Sequence, residues 1–147
     1  MSVDIWFFVV FVLAWVAGPV TQALFLVAPR LHHKIGLTEE NALKTEFRWF
    51  LLDEKAIATA DTTQLFSGCA FIWLALLGKP AALIFGLYSC ACYVYISILA
   101  IARWHLFGKN QLSPLSAGQL PFYMAYMVLF NLFGLYGLYY LWGLAQP

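Results

Sequence analysis

The sequence predicts an all-α integral membrane protein, built as a bundle of four antiparallel transmembrane helices. Of the 147 residues, 63% are hydrophobic and 10% are charged, whereas about a quarter of the residues in soluble domains are charged. Four long apolar stretches each approach or exceed the roughly 20 residues that cross a bilayer. Seven of the eight Lys and Arg residues fall into just two of the gaps between these stretches.

This distribution of basic residues predicts the orientation, because basic loops stay in the cytoplasm during insertion. The residues are Arg30, Lys34, Lys44, Arg48, Lys55, Arg103 and Lys109. Only Lys79 lies elsewhere, between the second and third stretches. We therefore expect one domain over residues 1–147, with both termini outside and both charged loops in the cytoplasm. A bacterial inner membrane is the expected location, since no eukaryotic sorting signal is visible.

The first span, residues 5–29, contains Gly18 and Pro19 near its middle. Proline lacks an amide hydrogen and leaves a carbonyl one turn earlier without its helical partner. We expect a kink at this point. Thr21 and Gln22 follow it, and they either satisfy the freed carbonyl or line a polar pocket.

The first cytoplasmic loop is predicted to be helical over about residues 38–55. Gly36 interrupts the preceding helix, and Thr38 is suited to cap a new one. This helix either continues unbroken into the second span, residues 56–78, or bends near residues 50–53.

The second span and the third, residues 81–102, are joined by the short sequence Gly-Lys-Pro at residues 78–80. Glycine suits the end of one helix and proline the first turn of the next, so a tight hairpin is expected. The fourth span covers residues 121–145. Small and polar residues on the last two spans predict helix contacts, because small residues let backbones approach and hydroxyl groups can bridge helices. They are Gly86, Cys90, Tyr93 and Ser97 in the third span and Gly134 and Gly137 in the fourth.

The main candidate site is the group of polar residues where the second span begins. Helical geometry places Glu54 and Asp61 on one face, within about 40° of each other. Asp61 is the deeper carboxylate, and at that depth it must be paired, hydrated or protonated. Arg30 and Arg103 are its expected partners, and Gln22 lies at a depth from which it can face Asp61.

These residues allow three interpretations. The first is a structural ion pair that holds three helices in register. In the second, Arg30, Arg103 and Lys55 bind an anion or polar headgroup while Asp61 or Glu54 acts as base or hydrogen-bond acceptor. In the third, Asp61 exchanges protons on a transport route.

Histidine provides only a weak metal candidate. His32, His33 and His105 are expected at the same membrane face, but adjacent histidines on a helix point about 100° apart and rarely bind one metal together. The three cysteines lie within apolar stretches and lack the spacing of a metal site. No metal or other cofactor is predicted.

The layout resembles the membrane-associated proteins of eicosanoid and glutathione metabolism, in length, in four spans, in a long first cytoplasmic loop and in polar residues at the start of the second span. That family is marked by an Arg, then Asn and Glu separated by two residues, at this start. Here residues 55–62 read Lys-Ala-Ile-Ala-Thr-Ala-Asp-Thr and supply neither Asn nor Glu at that spacing. The resemblance therefore does not imply that this protein binds glutathione.

Three functions from different classes follow. The favoured one is a binding or accessory module that forms a homo-oligomer or packs in a larger membrane complex, with an ionisable pocket at the cytoplasmic interface. One alternative is a membrane enzyme that acts there on a lipid or thiol substrate, and the other is an oligomeric channel or proton-coupled carrier. Membrane lipids are expected partners; nucleic acid is not, because the net charge is only +1.

Overall fold

A computed structural model describes residues 3–38, 44–116 and 118–146, and the regular structure within these ranges is entirely helical. The α-helices are α1 (Ile5–Trp15), α2 (Thr21–Val27), α3 (Pro29–Lys34), α4 (Arg48–Leu76), α5 (Ala82–Lys109) and α6 (Gln119–Ala145). A π-helical turn, Val16–Val20, joins α1 to α2, and a 3₁₀ turn, Thr45–Phe47, precedes α4.

Three helical segments in the described ranges are long and apolar enough to cross a membrane. They are Ile5–Val27 with 23 residues, Ala82–Lys109 with 28 and Gln119–Ala145 with 27. These segments confirm the predicted all-α membrane class and indicate an integral membrane protein. Most of the predicted span 56–78 lies in α4, which has 29 residues but is less apolar because charged side chains occupy its first half.

At the position of the predicted kink, the structure has a π-helical turn, Val16–Val20, that contains Pro19. Its carbonyl groups receive hydrogen bonds from side chains: the Thr21 hydroxyl lies 2.8 Å from the carbonyl oxygen of Ala17 and 2.7 Å from that of Gly18. The Tyr126 hydroxyl, from α6, also donates to the Ala17 carbonyl at 2.9 Å. The turn is thereby stabilised locally by Thr21 and tied to α6.

The start of α4 shows whether the helix of the first loop runs unbroken into the second span or bends near residues 50–53. The helix is continuous from Arg48 to Leu76, so the bend near residues 50–53 is absent. The predicted helical start at Thr38 is not seen at that residue, which is non-helical. Residues 39–43 lie outside the described ranges.

The core consists of two apolar clusters at opposite ends of the bundle. The larger contains Phe7, Phe11, Phe71, Ala82, Cys90, Tyr93 and Leu141. The smaller contains Phe50, Trp104 and Leu115. The predicted stripe of small residues on α5 is confirmed as a buried contact surface, since its four members are all buried.

Polar side chains link the helices between these clusters. The Ser67 and Ser89 hydroxyls are 2.8 Å apart, and the Gln64 amide donates to the Ser89 carbonyl at 3.3 Å. On the other side of α5, the Asn131 amide donates to the Ser97 hydroxyl at 3.0 Å. Such bonds satisfy polar groups that lipid cannot, and they set the relative rotation of neighbouring helices.

Candidate functional site

A cavity of about 370 Å³ lies between the π-helical turn, α2, α4, α5 and α6. One part of its wall is aromatic and comprises Phe25, Phe122, Tyr123, Tyr126 and Phe130. The polar part comprises Thr21, Gln22, His32, Glu54, Asp61, Gln64, Tyr93 and Ser97. The cavity is therefore amphipathic, with a large apolar surface and a few polar groups that converge on it.

The structure brings together four of the residues singled out from the sequence. Gln22, His32, Glu54 and Asp61 all line this cavity, although they come from different helices. The remaining candidates do not line it. Arg30, Lys55, His33 and His105 are exposed, and Arg103 lies beside Glu54.

Arg103 is the centre of a compact ion-pair cluster on α4 and α5. Its guanidinium contacts the Glu54 carboxylate and lies 2.7 Å from the Asp53 carboxylate. The rings of Phe50, Trp104 and Phe107 surround it, with centroids 5.0, 5.5 and 5.2 Å away.

Asp61 has a different environment from the one expected. Its side chain lines the cavity and the residue is only 7% exposed. Within the described part of the chain no hydrogen bond or ion pair involves its carboxylate, because Arg103 is occupied by Asp53 and Glu54 and Arg30 is exposed. The expected pairing of Asp61 with Arg103 is therefore not formed.

Tyr93 contributes a second polar group without a partner. The residue is 2% exposed, and its ring packs against Phe11, Phe130 and Phe133. Its hydroxyl is buried and makes no hydrogen bond to any described residue. A buried hydroxyl of this kind costs free energy unless it finds a partner.

His32, in the last turn of α3, lines the cavity. Its Nδ1 is 3.1 Å from the Thr38 hydroxyl, and its ring packs edge-on against Phe25 at 5.3 Å. Burial lowers the pKa of His32, so the neutral imidazole is favoured at neutral pH. Among the described residues there is no group of three His, Cys, Asp or Glu side chains placed to hold a metal ion.

Sequence reasoning missed Tyr93, Ser97 and Tyr126 as cavity residues. From the sequence, Tyr93 and Ser97 are expected to serve helix packing, and Tyr126 is not singled out. The available signal was that Tyr93 and Ser97 are four residues apart on α5, a spacing that turns two hydroxyl-bearing side chains toward one neighbour.

No protein-family model, curated protein or solved structure matches this chain. The residues that line the cavity indicate what it can bind. The aromatic wall can pack against the flat or aliphatic part of a ligand, and the hydroxyl and amide groups can orient a polar group of that ligand. The Asp61 carboxylate can accept hydrogen bonds or pair with a positively charged group.

Proposed function

We propose that this protein is a membrane-embedded binding module whose four helices enclose a pocket for a small amphipathic molecule. The observation that carries this proposal is a nearly buried carboxylate, Asp61, that faces a largely apolar cavity and has no partner among the described residues. Isolated charges are costly in such surroundings and are retained mainly where they serve a function.

The proposal includes α4 as a fourth membrane span. Three of its polar residues, Asp61, Gln64 and Ser67, are buried. In its second half the exposed positions beyond Thr63 are apolar, as at Phe66, which is 71% exposed, and Trp73, which is 64% exposed; the exposed Thr59 and Thr63 hydroxyls donate to backbone carbonyls of the same helix. Such a helix contacts lipid with its apolar side, while its polar side lines a cavity inside the bundle. Its low average hydropathy is therefore compatible with a membrane span.

Contacts between neighbouring helices support an antiparallel arrangement. Along α4 and α5, Glu54 pairs with Arg103, Gln64 with Ser89, and Phe71 packs where Gly86 leaves space. Residue numbers thus rise along α4 as they fall along α5. The same reversal relates α5 and α6, where Ser97 meets Asn131 and Cys90 meets Gly137.

We further propose that the end carrying Arg103 faces the cytoplasm of a bacterial inner membrane and that both termini lie outside. In a cysteine-free background, Lys79→Cys should react with a membrane-impermeant maleimide in intact cells. Lys109→Cys should react only after the membrane is permeabilised. The reverse labelling pattern would show the opposite orientation. Labelling of both residues in intact cells would place them on the same side of the membrane and contradict a single membrane crossing between them.

Native mass spectrometry of the gently purified protein tests the binding function and counts its subunits. We expect a bound small molecule or lipid of defined mass. Ile96→Trp should abolish this adduct, because Ile96 lines the cavity and the larger ring fills it.

The matched control is Ile98→Trp, two residues further along the same helix, where the side chain is 57% exposed. It should retain the adduct. Absence of an adduct from the wild-type protein, or equal retention in both variants, would argue against the cavity as a binding site.

Two further functions use the same cavity. The position of Asp61 also favours a proton-coupled carrier, in which several copies or an opening of the bundle provide the path. An enzyme acting on a lipid or thiol substrate would use Asp61, Glu54 and His32 as acid and base. In each case the exposed apolar side chains around the bundle contact lipid or further copies of the chain.

A further inference from the structure

The charges around the cavity do not balance. Glu54 and Asp61 both line it, and none of the lining residues that the structure describes is Lys or Arg. The single positive charge of Arg103 is shared by two carboxylates, those of Asp53 and Glu54. Asp61 therefore contributes a negative charge that no described side chain compensates, in surroundings where a carboxylate is stable only when paired, hydrated or protonated.

The Tyr93 hydroxyl independently indicates a missing polar partner. It belongs to a residue that lines the same cavity, is buried, and has no hydrogen-bond partner among the described residues. A phenolic oxygen can accept a hydrogen bond from a ligand N–H group or donate one to a ligand oxygen. A ligand that carries N–H donors would satisfy both Tyr93 and Asp61.

The rest of the wall is suited to a positively charged molecule with an apolar body. Phe122, Tyr126 and Phe130 present aromatic rings to the cavity. Ring faces attract cations, and the same rings pack against aromatic or aliphatic groups. An anion would meet two carboxylates and, among the described lining residues, no Lys or Arg; the His32 imidazole is favoured in its neutral form, so the pocket disfavours an anion.

We infer that the cavity binds a small organic cation, a protonated primary or secondary amine with an aromatic or aliphatic body, whose ammonium group pairs with Asp61. This inference rests on the proposed binding function and adds the chemical class of the ligand. The ammonium N–H groups donate to the Asp61 carboxylate and to the Tyr93 hydroxyl, and the apolar body lies against the aromatic wall.

Three probes of the same length and different charge test this assignment. They are 4-phenylbutylamine, which is a cation at pH 7, 4-phenylbutanol, which is neutral, and 4-phenylbutyrate, which is an anion. Binding is measured by titration calorimetry on the full chain in lipid nanodiscs, with empty nanodiscs subtracted to remove partitioning into lipid. We expect the amine to bind at least about tenfold more tightly than the alcohol, because a charge-assisted pair replaces a neutral contact.

Asp61→Asn should remove this preference: the affinity for the amine should fall about tenfold, and the affinity for the alcohol should stay unchanged. Tyr93→Phe should weaken amine binding less, since it removes a hydrogen bond to an uncharged acceptor and leaves the ion pair with Asp61 in place. Glu46→Gln, which removes an exposed carboxylate outside the cavity, is the matched control and should bind the amine as the wild type does. Thermal melting of each variant verifies that it is folded.

Equal affinity for the three probes, or an amine affinity that Asp61→Asn does not change, would overturn the cation assignment and leave the binding function standing. Failure of all three probes to bind, with an adduct still present in native mass spectrometry, would have the same meaning. Failure of the probes together with no adduct would overturn both proposals.

Discussion

Replacement of Arg103 by methionine is expected to destabilise the folded protein by about 3–5 kcal/mol, the cost of removing one partner of a buried ion pair. The Arg103 side chain is only 11% exposed, and the Glu54 carboxylate that it contacts is similarly buried. Methionine keeps much of the packing against Phe50 and Trp104 but leaves the carboxylate without its cation. The free energy of unfolding in mixed micelles, with a denaturing detergent as the variable, measures the effect.

Two further variants show whether charge is the cause. Arg103→Lys keeps the positive charge but loses the planar fork that reaches Asp53 and Glu54 together, so it should fall between wild type and Arg103→Met. Adding Glu54→Gln to Arg103→Met should recover part of the lost stability, because the remaining buried charge is removed. An Arg103→Met protein within about 1 kcal/mol of wild type would show that the cluster behaves like a surface ion pair.

Gly134→Ala is expected to cost about 1–3 kcal/mol through overpacking of the contact between α5 and α6. A Cβ at this position would lie 2.8 Å from the Cys90 carbonyl oxygen and 3.0 Å from the Val94 amide nitrogen. Both are backbone atoms, so the two helices must separate to make room. The separation would also strain the Asn131–Ser97 hydrogen bond one turn away.

Gly143→Ala provides the matched control on the same helix. A Cβ at Gly143 meets no atom within 4 Å. Alanine there should leave the stability unchanged or raise it by about 0.5–1 kcal/mol, since it stiffens the unfolded chain. Equal melting temperatures for Gly134→Ala and Gly143→Ala in detergent would contradict the close approach of the two backbones.

The position of Gly134 also bears on the cavity. α5 contributes Tyr93 and Ser97 to its wall, and α6 contributes Tyr126 and Phe130. The distance between these helices therefore sets the width of the pocket. A variant that separates them should bind a ligand more weakly even in the fraction of molecules that stays folded.

Several local features could be predicted because they depend on neighbouring residues in the chain. The disturbance at Pro19 follows from its missing amide hydrogen, and Thr21 lies close enough in sequence to satisfy nearby carbonyls. The buried stripe on α5 follows from the helical period and the small size of Gly86, Cys90 and Ser97.

The partners of Arg103 could not be predicted in the same way. Arg103 and Asp61 are expected at similar depth from the sequence, with Glu54 nearer the cytoplasm, and a long flexible side chain can reach either carboxylate. The axial register of α5 against α4 decides the choice: it brings Arg103 to Glu54 and Asp53, whereas Gln64, three residues beyond Asp61, contacts Ser89. Helical periodicity specifies which residues share a face but not which neighbouring helix that face meets.

The sequence by itself determined the membrane class of this protein, the apolar segments that fit a bilayer, and the concentration of ionisable residues at one level of the bundle. These properties depend on composition and on spacing along a single helix. Only the tertiary structure decided that Asp61 faces a cavity, with no partner in the described part of the chain, and that Tyr93 lines the same cavity. A cavity is the space that helices leave between them, so its shape depends on their mutual packing, which no single stretch of sequence encodes.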